Sequence, residues 1–306
     1  MSLLRVSSQE RTTSPVFIVG EARSGTTILY RTLQKHESFR PKKVNLFESK
    51  IMSHADKTST FGPGEPSSMH GYMATDDERY QAFLKSISSL RPALRLGDLM
   101  APRIGARGLS DLIWAWTGHT HLVRSYFHHA QQARGVRRVL EKTPGHVRHV
   151  NRLLRCYPKA RLIYIHRHPV DVFTSYRQRV RTDPKSRSWA NISLEKFAQN
   201  WVRNSEEAVA ASERLPDCFL LLRYEDFTAD PEQSAKEICD FVSEPYDPEI
   251  VIERNPDLTK RKADPHVLGE ITTRTKDWAD FISRKNADKL QNLVAPTMER
   301  LQYERY

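Results

Sequence analysis

Cysteine is scarce in this chain of 306 residues, which contains only Cys156, Cys218 and Cys239. Three widely spaced cysteines, an odd number, lack the close pairing that metal-binding and redox motifs use. This argues against a disulfide-rich extracellular scaffold and predicts reduced thiols in a cytoplasmic protein. The 12 histidines never form the HExxH pattern, so we expect most of them to be solvated and predict no metal site.

Long hydrophobic runs are also missing. No stretch reaches the roughly 18 apolar residues that cross a bilayer, and the polar residues 1–14 lack the apolar region of a signal peptide. No linker rich in proline, glycine and serine separates two independent halves. A chain of 306 residues can bury one large α/β core, so we predict a single soluble domain over residues 1–306 that carries insertions.

Positive charge, by contrast, is abundant. Lysine and arginine number 48 against 37 acidic residues, which gives a formal net charge of +11. Such an excess attracts anions, and a nucleic-acid-binding protein is one class that it fits. The basic residues are dispersed and belong to no nucleic-acid motif, so an acidic small ligand is the other explanation. The clearest clusters are Arg134, Arg137 and Arg138, and Arg148, Arg152 and Arg155.

The most informative segment is FIVGEARSGTT at residues 17–27. An apolar strand leads into a loop bounded by Gly20 and Gly25, and a helix begins near Thr26. Backbone N–H groups of such a loop converge on an anion together with the helix N-terminus, so the segment predicts a phosphate site. The spacing imitates the GxxxxGK[ST] loop of kinases, but Thr26 stands where a lysine would reach the β/γ-phosphates. A triphosphate ligand is therefore disfavoured.

A second anion site is predicted by RLIYIHRHPVDVFTSY at residues 161–176. A buried strand ends in a basic turn, Arg167 lies at its carboxyl edge, and Pro169 is suited to open a helix. Ser175 follows about two helical turns later, where its hydroxyl can meet an anion that Arg167 also holds. Anion sites on two adjacent βα units indicate a ligand with two separate phosphates.

These two segments resemble those of the sulfotransferases that use 3′-phosphoadenosine 5′-phosphosulfate (PAPS). The resemblance extends to EKTP at 141–144 and YED at 224–226, and it covers about residues 14–245. Arg23 places the chain nearer the tyrosylprotein, carbohydrate and bacterial sulfotransferases than the phenol and steroid enzymes, whose loop carries lysine. His168 stands where an acidic or amide residue is usual, and we expect the effect of this departure to be slight.

The resemblance implies which residues bind the donor. In this family an SGTT-type loop holds the 5′-phosphosulfate, and an arginine followed eight residues later by a serine holds the 3′-phosphate. A late basic loop closes over PAPS in relatives, and the basic segment 260–278 could form it, although a solvated charged surface is an equal alternative. The predicted donor-binding residues are Arg23, Ser24, Gly25, Thr26, Thr27, Arg167, Ser175, Tyr224 and Lys276.

The resemblance also implies the catalytic groups. Arg23 and Lys142 are the expected cations at the transferring sulfuryl group, with a salt bridge between Lys142 and Glu141 as the structural alternative. Glu48, at the end of a possible short strand over 44–47, is the predicted general base. The other candidates for the base are His54, Glu141 and His146.

Alternating strand and helix patterns predict a parallel sheet flanked by helices. With the resemblance, this gives an α/β fold of three layers, the P-loop NTPase-like sulfotransferase fold. Residues 50–135 interrupt the alternation and are predicted to be a variable, helical insertion on the acceptor side, in which Phe127 and other aromatic residues are core rather than acceptor platform. We predict strands over 15–20, 138–141, 161–166 and 218–223, and helices over 26–35, 145–156, 169–179, 194–214, 231–242 and 287–303.

The predicted function is PAPS-dependent transfer of a sulfuryl group to a hydroxyl, less readily an amine, with adenosine 3′,5′-bisphosphate (PAP) as the product. The acceptor is expected to be a carbohydrate, a lipid or another small molecule, recognised by residues 50–134 and 178–191. No metal and no nucleic-acid partner are expected, and the oligomeric state stays open. The alternatives are a P-loop nucleotide or sugar kinase and a non-enzymatic, basic nucleic-acid-binding protein.

Overall fold

Strands and helices alternate along the chain. The computed structural model describes residues 13–40, 127, 131, 135–184, 187–252, 271 and 278–306. Within these ranges the strands are β1 (Val16–Gly20), β2 (Leu140–Lys142), β3 (Arg161–His166) and β4 (Phe219–Arg223). The α-helices are α1 (Thr26–Gln34), α2 (Val150–Cys156), α3 (Pro169–Thr182), α4 (Arg187–Ala190), α5 (Leu194–Arg214), α6 (Tyr224–Ala229), α7 (Pro231–Val242), α8 (Glu249–Ile252) and α9 (Arg284–Arg300). Short 3-10 helices cover Pro144–His149 and Trp278–Asp280.

The four strands form one parallel sheet in the order β2-β1-β3-β4. The chain leaves β1 toward one edge of the sheet and leaves β3 toward the other, so the direction of winding changes between these two neighbours. In open α/β sheets, the crevice at such a change, outside the carboxyl ends of the strands, is where ligands bind. The loops after β1 and β3 therefore border the expected ligand site.

Both faces of the sheet are covered, which confirms the predicted three layers. Val16 and Ile18 of β1 pack on one face with side chains of α1 and α7, whereas Phe17 and Val19 pack on the other face with those of α2 and α5. Successive residues of a strand point to opposite faces, and a sheet buried on both faces needs continuous apolar strands. This is why VFIV reads as an unbroken hydrophobic run.

Local capping signals account for most of the helix boundaries. The Ser193 side chain accepts a hydrogen bond from the Lys196 N–H at the start of α5, and the Asp230 side chain accepts one from the Gln233 N–H at the start of α7. The sequence predicts both caps, since serine and aspartate are preferred N-cap residues. It also predicts that Gln233 completes a capping box at α7, but the Gln233 side chain donates to Glu237 along the helix, so that role is wrong.

Several element boundaries differ from prediction, including the end of α3, which extends to Thr182 rather than residue 179. The helix predicted over 145–156 is split, because a 3-10 helix over Pro144–His149 precedes α2. The last helix begins earlier than predicted, since Ser283 caps it by accepting from the Asn286 N–H, and it ends at Arg300.

The predicted insertion over 50–135 lies almost wholly outside the described residues, as does the possible strand over 44–47. Phe127 is an exception, and it is buried against Phe17 and Tyr157, with ring centroids 5.5 Å and 5.8 Å apart. Phe127 is thus part of the core, as predicted. The assignment of residues 1–306 to a single domain stays a prediction.

Two arginines of one predicted basic cluster, Arg137 and Arg138, pair with an acidic residue, and the third, Arg134, lies outside the described residues. The Arg138 side chain is fully buried and pairs with Glu244, and it also donates to the backbone carbonyls of Ser14 and Val242. Arg137 pairs with the same carboxylate. A buried guanidinium needs such compensation because desolvating its charge is costly. This cluster joins the start of β1, β2 and the end of α7.

Three observations concern the predicted absences. No helix among the described residues is long and apolar enough to cross a membrane. Histidine, cysteine and acidic side chains form no group of three that could hold a metal ion within those residues. Cys156, Cys218 and Cys239 are free thiols.

Candidate active site

The loop between β1 and α1 is built around Gly25, the N-cap of α1, which has a φ of 108°. A Cβ at this position would lie 2.4 Å from a ring carbon of Tyr224, so both the backbone conformation and the close approach require glycine. Arg23 also has a positive φ, 73°. The N–H groups of the first helical turn, including those of Thr26 and Thr27, have no partner within a helix. The loop thus presents a helix N-terminus as an anion-binding element.

Ser24 shapes this loop from the inside. Its side chain is buried, and its hydroxyl lies 2.8 Å from the backbone carbonyl oxygens of both Glu21 and Ile165. Its N–H also donates to the Glu21 carbonyl. Because both donors of Ser24 are engaged within the protein, the loop is fastened to the end of β3. The ligand-facing donors expected here are therefore those of the residues that follow.

The two predicted anion-binding segments meet directly. Arg23 Nε donates to Ser175 Oγ at 3.0 Å, which connects the loop after β1 to the second turn of α3. The sequence predicted that Ser175 would lie beside an anion shared with Arg167. The structure places its hydroxyl against Arg23, and Ser175 is buried at this junction.

Arg167 lies just after β3, and its guanidinium and its backbone carbonyl both make contacts there. Its guanidinium lies 4.3 Å from the centroid of the Tyr224 ring, an arrangement that favours a cation. Its Nη2 is 3.4 Å from Asp171 Oδ2, and its carbonyl accepts a hydrogen bond from the Trp201 indole. Since Tyr224 also contacts Gly25, this ring touches a residue of each predicted phosphate site.

Glu21 is a buried loop residue that the sequence analysis missed. Its carboxylate accepts hydrogen bonds from Tyr176 Oη at 2.8 Å and from Asn204 Nδ2 at 2.6 Å. Burial raises the pKa of Glu21, although both hydrogen bonds act in the opposite direction. Glu21 therefore fastens the loop to α3 and α5. An acidic residue inside an anion-binding loop was the available signal, because it needs an internal partner.

Lys142 ends β2, beside the strand that leads into the loop. The neighbouring Glu141 is fully buried and accepts hydrogen bonds from Thr143 and from His146, whose Nδ1 is 3.1 Å away. Successive strand residues point to opposite faces, so Glu141 and Lys142 project in different directions. Glu141 and His146 are paired with each other in the core, so His146 is an exception to the expectation that most histidines are solvated.

Comparison with known proteins decides the family. The sequence profile described as "Sulfotransferase family" matches residues 15–248, more than half of the chain. The chain belongs to the sulfotransferase family. No curated protein matches the chain by sequence.

Solved sulfotransferase structures are similar to this chain in fold. The sulfotransferase STF9 from Mycobacterium avium is 16% identical with a TM-score of 0.52, over 96% of this chain and 78% of that one. The sulfotransferase domain of the Synechococcus PCC 7002 olefin synthase is 18% identical with a TM-score of 0.49, over 96% of both chains. Mouse sulfotransferase SULT7A1, solved in complex with PAP, is 14% identical with a TM-score of 0.48, over 94% of this chain and 85% of that one.

His168 in this sulfotransferase takes over a capping role. Its Nδ1 accepts a hydrogen bond from the Val170 N–H at the start of α3, as a carboxylate or amide oxygen would at an N-cap. Its own N–H donates to Glu225 Oε1 at 3.0 Å. The departure from the usual acidic or amide residue is therefore compensated locally.

Burial lowers the pKa of His168 to about 4, and it lowers the pKa of His166 to about 4 as well. Both histidines are consequently neutral at neutral pH. A neutral imidazole at position 168 can accept from the Val170 N–H, whereas a protonated one cannot.

We expect this sulfotransferase to lose stability in mild acid. An unfolded histidine binds its proton near pH 6.5, but His168 does so only near pH 4 in the folded chain. Between these values the unfolded state binds more protons, so the free energy of unfolding falls as the pH falls, by about 1.4 kcal/mol per pH unit for each such histidine. Above pH 6.5, His168 makes its full contribution to the free energy of unfolding.

Urea unfolding at pH 7 and pH 5 checks this with a matched variant. His168→Asn keeps a capping side chain and removes the titrating group. From pH 7 to pH 5 the wild type should lose about 2 kcal/mol more than the variant. Equal losses in the two proteins would contradict the assignment of a depressed pKa to His168.

Three predicted site residues lie outside the described residues. They are Glu48, His54 and Lys276, and most of the basic segment 260–278 lies there too. Of the predicted residues that the structure describes, it brings together Arg23, Gly25, Ser175, Arg167 and Tyr224, and it places Lys142 on the strand next to β1.

Proposed function

We propose that this sulfotransferase moves the sulfuryl group of PAPS to a hydroxyl, less readily an amine, of a small-molecule, glycan or lipid acceptor. The observation that carries the proposal is the hydrogen bond between Arg23 Nε and Ser175 Oγ, because it joins the two anion-binding segments in one site. A single ligand with two separate phosphates fits such a site better than two independent anions do.

The residues present are suited to PAPS. Arg23 and the first-turn amides of Thr26 and Thr27 offer donors for the phosphate at the 5′ end. Arg167 offers a second cationic fork, and the ring of Tyr224 contacts both Arg167 and Gly25. Thr26 occupies the position of the kinase lysine, so the donor set does not suit a β/γ-phosphate pair.

Bound PAPS supplies an activated sulfuryl group. We assign to Arg23 and Lys142 the stabilisation of negative charge that develops on the transferring and bridging oxygens. Thr26 and Thr27 would hold the 5′-phosphate as it leaves, through their N–H and hydroxyl groups. Glu48 would take the proton of the acceptor hydroxyl.

The acceptor is proposed to bind residues 50–134 and 178–191, which include none of the residues that we assign to the donor. The free thiols of Cys156, Cys218 and Cys239 fit a protein that functions in the reducing cytoplasm. A nucleic-acid partner is not proposed, because Arg137 and Arg138 of the predicted basic cluster pair with Glu244.

Calorimetry tests the donor class. We expect PAP to bind at least tenfold more tightly than ATP or ADP when EDTA is present, because two anion sites are provided and the loop lysine is missing. Tighter binding of ATP that requires Mg²⁺ would overturn the proposal in favour of a kinase. Transfer from labelled PAPS to sugars, lipids, phenols and polyketide alcohols then identifies the acceptor.

A further inference from the structure

The segment after α9 folds back over the turn between β3 and α3. His168 is the centre of this contact, with its ring stacked on that of Tyr306 at 3.8 Å between centroids and an interplanar angle of 15°. His168 Nε2 lies 3.0 Å from the Glu304 carbonyl oxygen. The segment is itself fixed to α9, because the Tyr306 N–H donates to Gln291 Oε1 at 2.7 Å and its carbonyl accepts from Arg284. Residues 301–306 therefore pack against both α9 and the turn that carries Arg167.

Tyr306 reaches the arginine through one shared atom. Its hydroxyl donates to Asp171 Oδ2 at 3.1 Å, and Arg167 Nη2 lies 3.4 Å from the same oxygen. A carboxylate beside a phosphate-binding arginine competes with the phosphate for it. A second donor on the same oxygen satisfies part of the carboxylate's hydrogen-bonding capacity and weakens its hold on the guanidinium.

Tyr303 supports the same turn from the other side. Its hydroxyl donates to Glu225 Oε2 at 3.1 Å and lies 2.9 Å from His166 Nδ1. The other oxygen of Glu225 accepts the His168 N–H. The residues on both sides of Arg167, His166 and His168, are thus connected to residues 301–306. The segment and the turn that carries the arginine are therefore held together.

We propose that Tyr306 is a positioning residue for the 3′-phosphate site, which acts through Asp171 to keep the Arg167 guanidinium available to the nucleotide. The inference rests on the proposed function, since it assumes that Arg167 binds the 3′-phosphate. Tyr306 and Arg167 share one carboxylate oxygen of Asp171. The effect of Tyr306 should therefore depend on Asp171 and on the presence of a 3′-phosphate in the ligand.

Calorimetry with PAP and adenosine 5′-monophosphate, which differ only in the 3′-phosphate, tests this. Tyr306→Phe keeps the stacked ring and removes the hydroxyl. We expect the Kd for PAP to rise roughly three- to tenfold, as for loss of a hydrogen bond to a charged group, and the Kd for the monophosphate to stay unchanged. Tyr246→Phe is the matched control, because the Tyr246 hydroxyl is buried without a hydrogen-bond partner among the described residues. It should behave as wild type.

A second pair of variants tests the route. In an Asp171→Asn background the competing charge is gone, so Tyr306→Phe should cause no further change in the Kd for PAP. An unchanged Kd in Tyr306→Phe alone, or an equal loss for both nucleotides, overturns the inference and indicates a packing role. If wild type itself fails to prefer PAP over the monophosphate, the proposed function fails, and this inference fails with it.

Discussion

Glu48→Gln should lower the turnover rate by roughly 10²–10⁴-fold, which is the usual contribution of a general base. The substitution keeps the shape of the side chain and removes the proton acceptor. Two competing candidates, Glu141 and His146, are fully buried and hydrogen-bonded to each other. This pairing inside the core argues against either residue as the base, so we keep Glu48 as the prediction and His54 as the next candidate.

The measurement is the initial rate of transfer from labelled PAPS, with PAP affinity and melting temperature recorded for the same preparation. Affinity for PAP should stay close to wild type, because a base contacts the acceptor rather than the product nucleotide. Glu37→Gln, which removes an exposed carboxylate just after α1, is the matched control and should leave the rate unchanged. A folded Glu48→Gln protein with near-normal turnover would remove Glu48 from the mechanism and make His54 the next residue to test.

Arg167→Ala should weaken PAP binding by about 2–3 kcal/mol, roughly 30- to 150-fold, the scale of losing charge-assisted hydrogen bonds to an anion. The guanidinium is nearly buried, with 6% of the residue exposed, so solvent screens its interaction with a phosphate only weakly. Adenosine 5′-monophosphate should lose little affinity, because it lacks the 3′-phosphate. Ser175→Ala should cost less than Arg167→Ala.

Two controls separate this effect from a change in charge or in folding. Arg179→Ala removes one positive charge from the partly exposed end of α3 and should leave both affinities nearly unchanged. Arg167→Lys keeps the charge without the planar fork, so its loss should lie between those of wild type and Arg167→Ala. Equal weakening of PAP and of the monophosphate by Arg167→Ala would show that the 3′-phosphate assignment is wrong.

Local signals accounted for much of the fold. The β3 strand over 161–166 and the α5 helix over 194–214 were predicted with the observed bounds, because an apolar run with flanking turns and a serine cap are readable within a few residues. The prediction of one helix over 145–156 was wrong, because a 3-10 helix and an α-helix have nearly the same spacing of apolar residues over one or two turns.

The candidate site was predicted only as far as its chain segments. Glycine spacing and an isolated arginine identify where a loop and a strand end, but they do not identify the distant side chains that pack against them. Glu21 and Tyr176 are 155 positions apart, and Asp171 and Tyr306 are 135 apart. Such contacts depend on how α3, α5 and α9 pack, and no periodicity in one segment contains that information.

The Tyr224 ring contacts both Gly25 and Arg167. Because this side chain is rigid, we expect the distance between the loop and the guanidinium to change little when a ligand binds. Adenosine 2′,5′-bisphosphate carries the same charges as PAP at a different separation. We therefore expect the distance between the two phosphates to decide which isomer binds, and Tyr224 to help fix the distance that the site accepts.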